Sequence, residues 1–367
     1  MSHEFESGFV VRDAAWHGLA TVLSDPPTTA EGLRRAGLDW DVRLAPILAM
    51  DYASDVVNGT AGELTGMEIP ISSHRAVVRS TDQRVLGVVG ADYVPVQNRE
   101  AFAFFDPLIE QGHAALESAG SLKEGKRVWV LARILGSGSE VSEGDRIEPY
   151  LLVSTAHDGS RAVTVDFTAV RVVCWNTLGR AERPSDAARS GVRIRHVGDP
   201  AGALAQVSTF VDAARRTFAL SLEDWRAMRS RGIDANGLER YVTRVLRAEE
   251  SREGLERELG LVEDRLLSLF PEEATQRIAL LERAGELRAQ LESRPRAFED
   301  VARLFEEGPG VAMAGATVYG AYNAVTHWID HERGRSAENR LESTWFGVGR
   351  SIRARAHTEA MALVGGS

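Results

Sequence analysis

Hydrophobic and polar residues alternate along much of the first half of the chain, a pattern typical of half-buried β-strands. The segment DWDVRLAPILAM (39–50) alternates and then becomes continuously apolar. SHRAVVRS and RVLGVVG, separated by the polar TDQ within residues 73–90, predict a hairpin. GKRVWVLARIL (125–135) predicts a further strand. EPYLLVSTAHDGSRAVTVDF (148–167) predicts a strand pair joined at Asp158-Gly159, a dipeptide that favours hairpin turns.

Between these strands the pattern changes to a helical period at Asn98. Asn98 is predicted to cap a helix in which Phe102, Phe105 and Ile109 share one face, and Gly112 is predicted to end it. Strand pairs on both sides of one helix indicate an antiparallel α+β layer rather than a parallel α/β sheet.

The second half of the chain has helical spacing. It begins with AGALAQVSTFVDAARRTFALSLEDWRAMRSRG (201–232) and later includes a Gly/Ala-rich segment, 308–334, that runs into a helix. Two heptad-like seams lie between these segments: Leu255, Leu259, Val262, Leu266 and Leu269, then Leu280, Ala284, Leu287 and Leu291. Two neighbouring helices of this kind predict an antiparallel helical hairpin within about 236–294. Such a hairpin is either a packing layer or a surface for self-association.

These elements together predict an α+β protein of two domains. Residues 1–200 would form an α+β core of antiparallel hairpins with a packed helix. Residues 201–367 would form a mainly helical domain that includes the helical hairpin. The length of 367 residues is ample for a sizeable core.

The composition and the N-terminal sequence indicate the cellular compartment. The chain is 44% hydrophobic and 26% charged, and no apolar run approaches the roughly 20 residues of a membrane helix. MSHEFESGFVVRD at the N-terminus has acidic residues where a secretory signal has basic and apolar ones. A single cysteine permits no internal disulfide. We therefore expect a cytoplasmic protein with no membrane partner.

Charge is segregated along the chain although the net charge is −10. Arginines concentrate within 171–195 and again within 333–355, and acidic residues concentrate between 248 and 308. Segregated charge can build a local basic surface on an acidic protein.

The single cysteine, Cys174, is the first candidate for chemistry. A nucleophilic cysteine needs a base and a lowered pKa, and the apolar neighbours Val170, Val172 and Val173 oppose ionisation. We interpret Cys174 as a small buried side chain. The glycine loops at 87–92 and 308–315 lack the Gly-Lys-Ser/Thr of a P-loop, so we expect no cofactor.

A histidine pair is the second candidate. His327 and His331 are spaced to share a helix face, as in zinc-binding helices, with Asp330 nearby. The HExxH motif is absent because residue 328 is Trp, and no third ligand is identified. A weak metal site and a packed, hydrogen-bonded pair both remain open.

Arginines around residues 171–195 are the third candidate. Cations that follow a phosphate backbone beside an aromatic ring are typical of single-strand binding. The predicted nucleic-acid-binding residues are Lys126, Arg127, Arg133, Arg171, Trp175, Asn176, Thr177, Arg180, Arg183, Arg193 and Arg195. In this hypothesis the arginines contact phosphates and Trp175 stacks on a base.

Several motifs resemble the phage/plasmid-like proteins of the DUF932 family. They are AWHGLA (15–20), RVVCWNTL (171–178), RIRHVGD (193–199), AYNAVTHWIDH (321–331) and STWFGVGRSIRARA (343–356). The family's AWHGLG reads AWHGLA here, which loosens any requirement for glycine at residue 20. The resemblance implies a phage or plasmid context, where replication, recombination and protection of single strands are common tasks.

The arrangement of a hairpin, a helix and a second hairpin is also similar to the core of single-strand annealing proteins of the RecT, Redβ and Erf class. That likeness implies a ring-forming protein that works without a cofactor and holds one strand in a basic groove.

The leading expectation is a non-enzymatic, homo-oligomeric single-stranded DNA binding or annealing protein of phage or plasmid origin, acting in recombination or replication. Two alternatives remain. One is a metal-dependent enzyme that uses His327 and His331. The other is an interaction protein that counters a host defence through its acidic helical face, 248–308.

Overall fold

The computed structural model describes most of the chain. The described residues are 5–11, 20–53, 65–173, 176–178, 191–205, 210–268, 274–292, 296–334 and 337–365. Cys174 lies outside them, so its interpretation stays a prediction.

Twelve strands occur within the described residues. They are β1 (Phe5–Val11), β2 (Thr21–Leu23), β3 (Val42–Ala53), β4 (Thr65–Arg79), β5 (Val85–Gly90), β6 (Ala114–Leu122), β7 (Arg127–Ile134), β8 (Ser139–Glu140), β9 (Arg146–Ala156), β10 (Val163–Arg171), β11 (Asn176–Leu178) and β12 (Gly191–Ile194). A large sheet has the order β11-β10-β9-β7-β6-β1-β2, with β12 paired to β10 and β8 to β9. A second sheet has the order β3-β4-β5. Apart from the parallel β1–β2 pair, neighbouring strands are antiparallel, which confirms the predicted α+β class.

Three short helices lie between strands of the first half, and helices make up most of the described part of the second half. The helices are α1 (Thr29–Arg35), α2 (Asn98–Ala103), α3 (Asp106–Glu110), α4 (Pro200–Ala205), α5 (Phe210–Ser230), α6 (Ala235–Leu246), α7 (Ala248–Ser268), α8 (Ala274–Glu292), α9 (Arg296–Glu307), α10 (Val311–Ala314), α11 (Val318–His327), α12 (Ala337–Phe346) and α13 (Val348–Gly365). A π-helical turn, Trp328–Glu332, follows α11 directly. None of the described helices combines the length and apolarity needed to cross a membrane.

The large sheet buries both of its faces because side chains alternate along each strand. On one face, Val128 and Val130 of β7 belong to a core that also contains residues of α2 and α5. On the other face, Trp129 and Leu131 pack in a core with residues of α12. We call this second side of the sheet the α12 face.

Close packing on the α12 face explains why β6 has a glycine in its interior. Gly120 is paired with Trp129 across β6 and β7. A Cβ atom at position 120 would lie 2.6 Å from Cη2 of that indole and 2.5 Å from the Ser7 carbonyl oxygen. Glycine is therefore required for the Trp129 ring to lie on the sheet.

The helical hairpin consists of α7 and α8. Leu255, Leu259 and Val262 on α7 are partly buried, while Ala284 and Leu287 on α8 are buried. Ion pairs Arg283–Glu258 (2.8 Å) and Arg288–Glu263 (2.6 Å) join the two helices. The described part of the seam therefore packs as predicted, whereas Leu269 and the side chain of Leu291 lie outside the described residues. The hairpin begins at α7, and α6 packs on α13 as well as on α7.

The change from strands to helices falls near the predicted boundary at residue 200. Helices and strands nevertheless share cores: Val211 and Ala214 of α5 lie in the first core, and Ile147 and Ala169 of the sheet lie in a core with α11 and α13.

The predicted cap at Asn98 is wrong. The helix is preceded by Gln97, whose backbone N–H donates to the Glu100 carboxylate (2.7 Å). Asn98 is buried instead, where its amide nitrogen donates to the Leu38 carbonyl (3.0 Å) and its amide oxygen lies 2.9 Å from Nε2 of His157. The predicted single helix is divided into α2 and α3, and Gly112, at φ +67°, follows their end as expected.

Burial of His157 predicts acid sensitivity. Burial lowers the pKa of this imidazole to about 3, below its ordinary value, so the folded protein holds it neutral. Stability is then complete above pH ~6.5 and falls as acidification protonates the unfolded chain, by about 2 kcal/mol between pH 7 and pH 5. We expect His157→Gln to flatten the free energy of unfolding against pH in denaturant titrations. The exposed His74→Gln variant should keep the wild-type slope, and an unchanged slope in His157→Gln would contradict the assignment.

Candidate functional site

An arginine-lined cleft of about 450 Å³ opens on the α12 face, where β10, β11 and β12 meet α12 and the start of α13. We call it the inner cleft. Its charged and hydroxyl-bearing lining residues are Arg161, Asp166, Thr168, Thr177, Arg193, Thr217, Thr344, Arg350, Ser351 and Arg353. Four arginines face one aspartate, so the lining favours an anion.

Strand register places the sheet residues of the cleft on one side. Asp166 and Thr168 occupy alternate positions on β10 and therefore share a face. Arg193 on β12 pairs with Thr164 of β10, and Thr177 on β11 pairs with Val170. Residues far apart in sequence are thereby brought to one surface.

The opposite wall is the N-terminal turn of α13. This helix has 18 residues, begins at Val348 and presents Arg350 and Ser351 to the cleft. The N–H groups of a helix N-terminus carry partial positive charge and attract anions; in α13 the N–H of Gly349 already donates to Oγ of Ser343 (3.1 Å), so the helix contributes through its dipole. Just before this turn, the Phe346 carbonyl at the end of α12 accepts from Nη2 of Arg161, which lies in the loop between β9 and β10 (2.6 Å).

Arg350 is held across the mouth of the inner cleft by a carboxylate. Its two terminal nitrogens lie 3.2 and 3.1 Å from the oxygens of Asp166. The Arg350 side chain is still 45% exposed, so solvent and solutes reach it.

A buried network closes the floor of the inner cleft. Asp330, in the π-helical turn, accepts from the backbone N–H of Thr177 (2.6 Å) and from Nη2 of Arg353 (2.6 Å). Nη1 of Arg353 donates to the Thr344 carbonyl (3.1 Å). One carboxylate thus joins β11 to α13. Single π-turns of this kind are frequent at functional sites.

Three buried polar atoms of the floor have no hydrogen-bond partner among the described residues. They are Oγ1 of Thr177, Oγ1 of Thr344 and Nε of Arg353. Thr177 and Thr344 are each 2% exposed. An unsatisfied buried hydroxyl costs about 1–3 kcal/mol, so a ligand that supplies a partner gains that energy.

A second, more open cleft adjoins the first. This outer cleft has a volume of about 630 Å³, and its lining includes Asp92, Tyr93, Arg161, Arg195 and His196. Arg161 lines both clefts, which makes the cationic lining continuous between them. The Tyr93 and His196 rings stack with centroids 4.6 Å apart, and burial lowers the pKa of His196 and raises that of Tyr93.

Strand alternation also aligns the two arginines of β12 and its extension. Arg193 and Arg195 are exposed, while Ile194 and His196 between and after them are buried. The guanidinium groups therefore leave the backbone on the same side, one toward each cleft.

Residues 85–345, from the start of β5 into α12, match a family model described as a domain of unknown function, DUF932. The chain belongs to the DUF932 family. No curated protein and no solved structure matches the chain. The match contains the sheet side of the inner cleft and ends within α12, before Arg350.

Within the DUF932 chain, Arg171 is not at the surface. Its side chain is fully buried, with Nε and Nη2 donating to the Asp145 carboxylate at 2.6 and 2.8 Å. Nη2 also donates to the Gly310 carbonyl (3.1 Å), and the guanidinium lies 5.4 Å from the Tyr319 ring centroid. The guanidinium is not available to a phosphate. We therefore correct the prediction and remove Arg171 from the candidate interface.

Two further arginines lie on the α12 face without reaching the inner cleft. Arg127 is buried, with its guanidinium 5.1 Å from the ring centroid of Phe346. Arg133 is largely buried and lies 3.6 Å from the Glu117 carboxylate. Arg127 is therefore corrected from a phosphate contact to a buried structural residue, whereas Arg133 and the half-buried Lys126 line neither cleft and stay predictions.

The remaining predicted residues divide into two groups. Thr177 and Arg193 line the inner cleft and Arg195 lines the outer cleft. Trp175, Arg180 and Arg183 lie outside the described residues, and so does the side chain of Asn176. These four remain predictions.

Sequence reasoning missed Arg161, Arg350 and Arg353. Arg350 and Arg353 could have been identified from the sequence, because both belong to the second arginine cluster and to the motif STWFGVGRSIRARA. Arg161 follows the turn after β9 and carried no such signal.

The histidine pair is close but lacks a metal-ligand set. The rings of His327 and His331 have centroids 4.4 Å apart, and burial, followed by the neighbouring His331, lowers the pKa of His327 to about 4. Asp330 is engaged by Thr177 and Arg353. Within the described part of the chain, no group of three or more potential metal ligands occurs.

Proposed function

We propose that this DUF932 protein binds single-stranded nucleic acid, and single-stranded DNA in particular, along the inner and outer clefts. The observation that supports this is the shared lining of the two clefts by Arg161, with Arg193 and Arg350 on one side of it and Arg195 on the other. A continuous series of cations is what a sugar-phosphate strand requires.

Local charge supports the proposal despite the net charge of −10. The two clefts together are lined by five arginines and two aspartates, Asp92 and Asp166. Arg350 pairs with Asp166, and Arg353 pairs with Asp330 beneath the inner cleft, so five arginines stand against three carboxylates. The surface of the clefts is therefore locally positive although the protein has a net negative charge, and electrostatic attraction would concentrate a polyanion there.

Aromatic side chains beside the outer cleft supply a surface on which a base can stack. Tyr93 is partly exposed and is supported from behind by the stacked His196. Stacking of a base on such a ring contributes about 1–3 kcal/mol and does not depend strongly on sequence. Binding along this path would accordingly show little sequence preference.

The wider role that we propose is annealing or protection of single strands during recombination or replication of a phage or plasmid, by a homo-oligomer. This part rests on the resemblance of the motifs and of the architecture to those classes of protein. It is a proposal of binding without a catalytic step.

Salt dependence tests the proposal. A labelled oligonucleotide should bind in fluorescence anisotropy with a Kd that rises about tenfold or more between about 50 and about 200 mM salt, because each neutralised phosphate releases counterions. Arg193→Ala should weaken binding several-fold and reduce the log–log slope by about 0.7, the increment for one phosphate of a single strand.

The matched control is Arg34→Ala. Arg34 is an exposed arginine on α1, on the opposite side of the large sheet, and lines neither cleft. It should bind with the wild-type Kd and slope. Absence of binding at low salt, or equal losses in the two variants, would contradict the proposal.

A further inference from the structure

We propose that the inner cleft is a phosphomonoester site, which receives the phosphorylated end of a strand or the phosphate of a nucleotide. This inference rests on the proposed nucleic-acid binding and assigns a distinct chemistry to one part of the path. It differs from binding of an internal phosphodiester in charge, in the number of free oxygens and in the direction in which the chain leaves.

The shape of the inner cleft favours a chain end. Its deep lining residues Leu152, Leu178 and Trp345 are buried, and the Asp330–Arg353 network lies beneath. An internal phosphodiester has chain on both sides, whereas a terminal phosphate has chain on one side only. That chain can continue past Arg161, which lines both clefts, into the outer cleft.

The charge of the inner cleft fits a dianion. A phosphomonoester carries about −1.5 to −2 charges near pH 7, whereas each phosphodiester carries one. Arg193 and Arg350 face it from opposite walls, and the N-terminal turn of α13 adds its partial positive charge. Arginine suits this ligand because its planar fork matches phosphate oxygens bidentately.

The unsatisfied hydroxyls supply an independent observation. Thr177 and Thr344 both line the inner cleft, both are 2% exposed, and neither Oγ1 has a hydrogen-bond partner among the described residues. Both are held by the Asp330–Arg353 pair, since Thr177 N donates to Asp330 and Thr344 O accepts from Arg353. A monoester has three terminal oxygens that accept hydrogen bonds, one more than a diester offers.

The Asp166 carboxylate would compete with a bound phosphate for Arg350. Its carboxylate makes the two-pronged contact with Arg350 that a phosphate would make. A ligand must displace it or share the guanidinium with it. Asp166→Asn is therefore expected to bind the phosphate more tightly than the wild type, because removal of the negative charge frees Arg350.

The experiment compares oligonucleotides of one sequence, labelled internally, with a 5′-phosphate, a 3′-phosphate or hydroxyls at both ends, on the full-length protein. We expect one phosphorylated end to lower Kd at least tenfold against the hydroxyl ends. Arg350→Ala and the double variant Thr177→Val/Thr344→Val should remove that difference. Arg34→Ala should retain it, and Asp166→Asn should enlarge it.

A second arm separates strand ends from free nucleotides. Thermal shifts are measured with a deoxynucleoside, its monophosphate and inorganic phosphate, and the monophosphate is expected to stabilise the protein through Arg350. Equal Kd values for all three oligonucleotides would overturn the inference and leave the proposed strand binding intact. Stabilisation by the monophosphate with no binding of any oligonucleotide would support the site and overturn the strand-binding function.

Discussion

Asp145→Ala is expected to destabilise the protein by about 3–5 kcal/mol, because it leaves the guanidinium of Arg171 buried without its counter-ion. Both side chains are 0% exposed, and two hydrogen bonds of 2.6 and 2.8 Å join them. Removal of one partner of such a pair leaves a desolvated charge, which is far more costly than the loss of a surface ion pair.

Denaturant titration measures this effect, with Asp41→Ala as the matched control. Asp41 pairs with Arg99 at the surface, where both side chains are more than half exposed. The control should change the free energy of unfolding by no more than about 1 kcal/mol. The double variant Asp145→Ala/Arg171→Met should recover part of the loss, since no buried charge remains. Equal effects of Asp145→Ala and Asp41→Ala would contradict the burial of the pair.

The Asp145–Arg171 pair also explains why a polar residue is kept in this core. Arg171 ends β10 and reaches the Gly310 carbonyl and the Tyr319 ring, so it joins the sheet to the segment that leads into α11. The arginine that opens the motif RVVCWNTL is therefore a link between layers. Its neighbours Thr177 and Arg193 reach the inner cleft from the other side of the sheet.

Much of the sheet could be predicted because its strands are short apolar segments bounded by turns. β7 and β9 are nearly continuous apolar runs, because successive residues fill the cores on the two faces of the sheet. The strand β6, AALESAGSL, was not predicted, since its small and polar residues have low strand propensity. It is a strand because β1 and β7 pair with it on both sides and Gly120 accommodates the Trp129 ring.

The candidate site was only partly predictable because burial of an arginine depends on long-range partners. Arg171 and Arg193 look alike in sequence, yet one meets Asp145 in a core and the other is exposed. Arg350 reaches Asp166 across 184 positions, a distance that no local pattern reports. The sequence therefore indicates two clusters of arginines. The pairing of β10, β11 and β12 beside α13 shows which of these arginines converge on the inner cleft.

Asp330→Ala is expected to destabilise the protein by about 3–5 kcal/mol and to remove preferential binding of phosphorylated ends together. The carboxylate accepts from Thr177 N and from Arg353, each at 2.6 Å, and is buried. Its loss leaves the buried Arg353 guanidinium without a counter-ion and the Thr177 N–H without an acceptor, and it removes the link between β11 and α13. The floor of the inner cleft then loses the contact that fixes Thr177.

Denaturant titration and anisotropy with 5′-phosphorylated and unphosphorylated oligonucleotides measure the two effects, below the denaturation midpoint of the variant. Glu332→Ala is the matched control, because Glu332 lies in the same π-helical turn but pairs with Arg303 at the surface. It should retain stability within about 1 kcal/mol and the wild-type preference for phosphorylated ends. An Asp330→Ala protein that is destabilised yet keeps that preference would show that the Asp330–Arg353 network supports the fold without shaping the inner cleft.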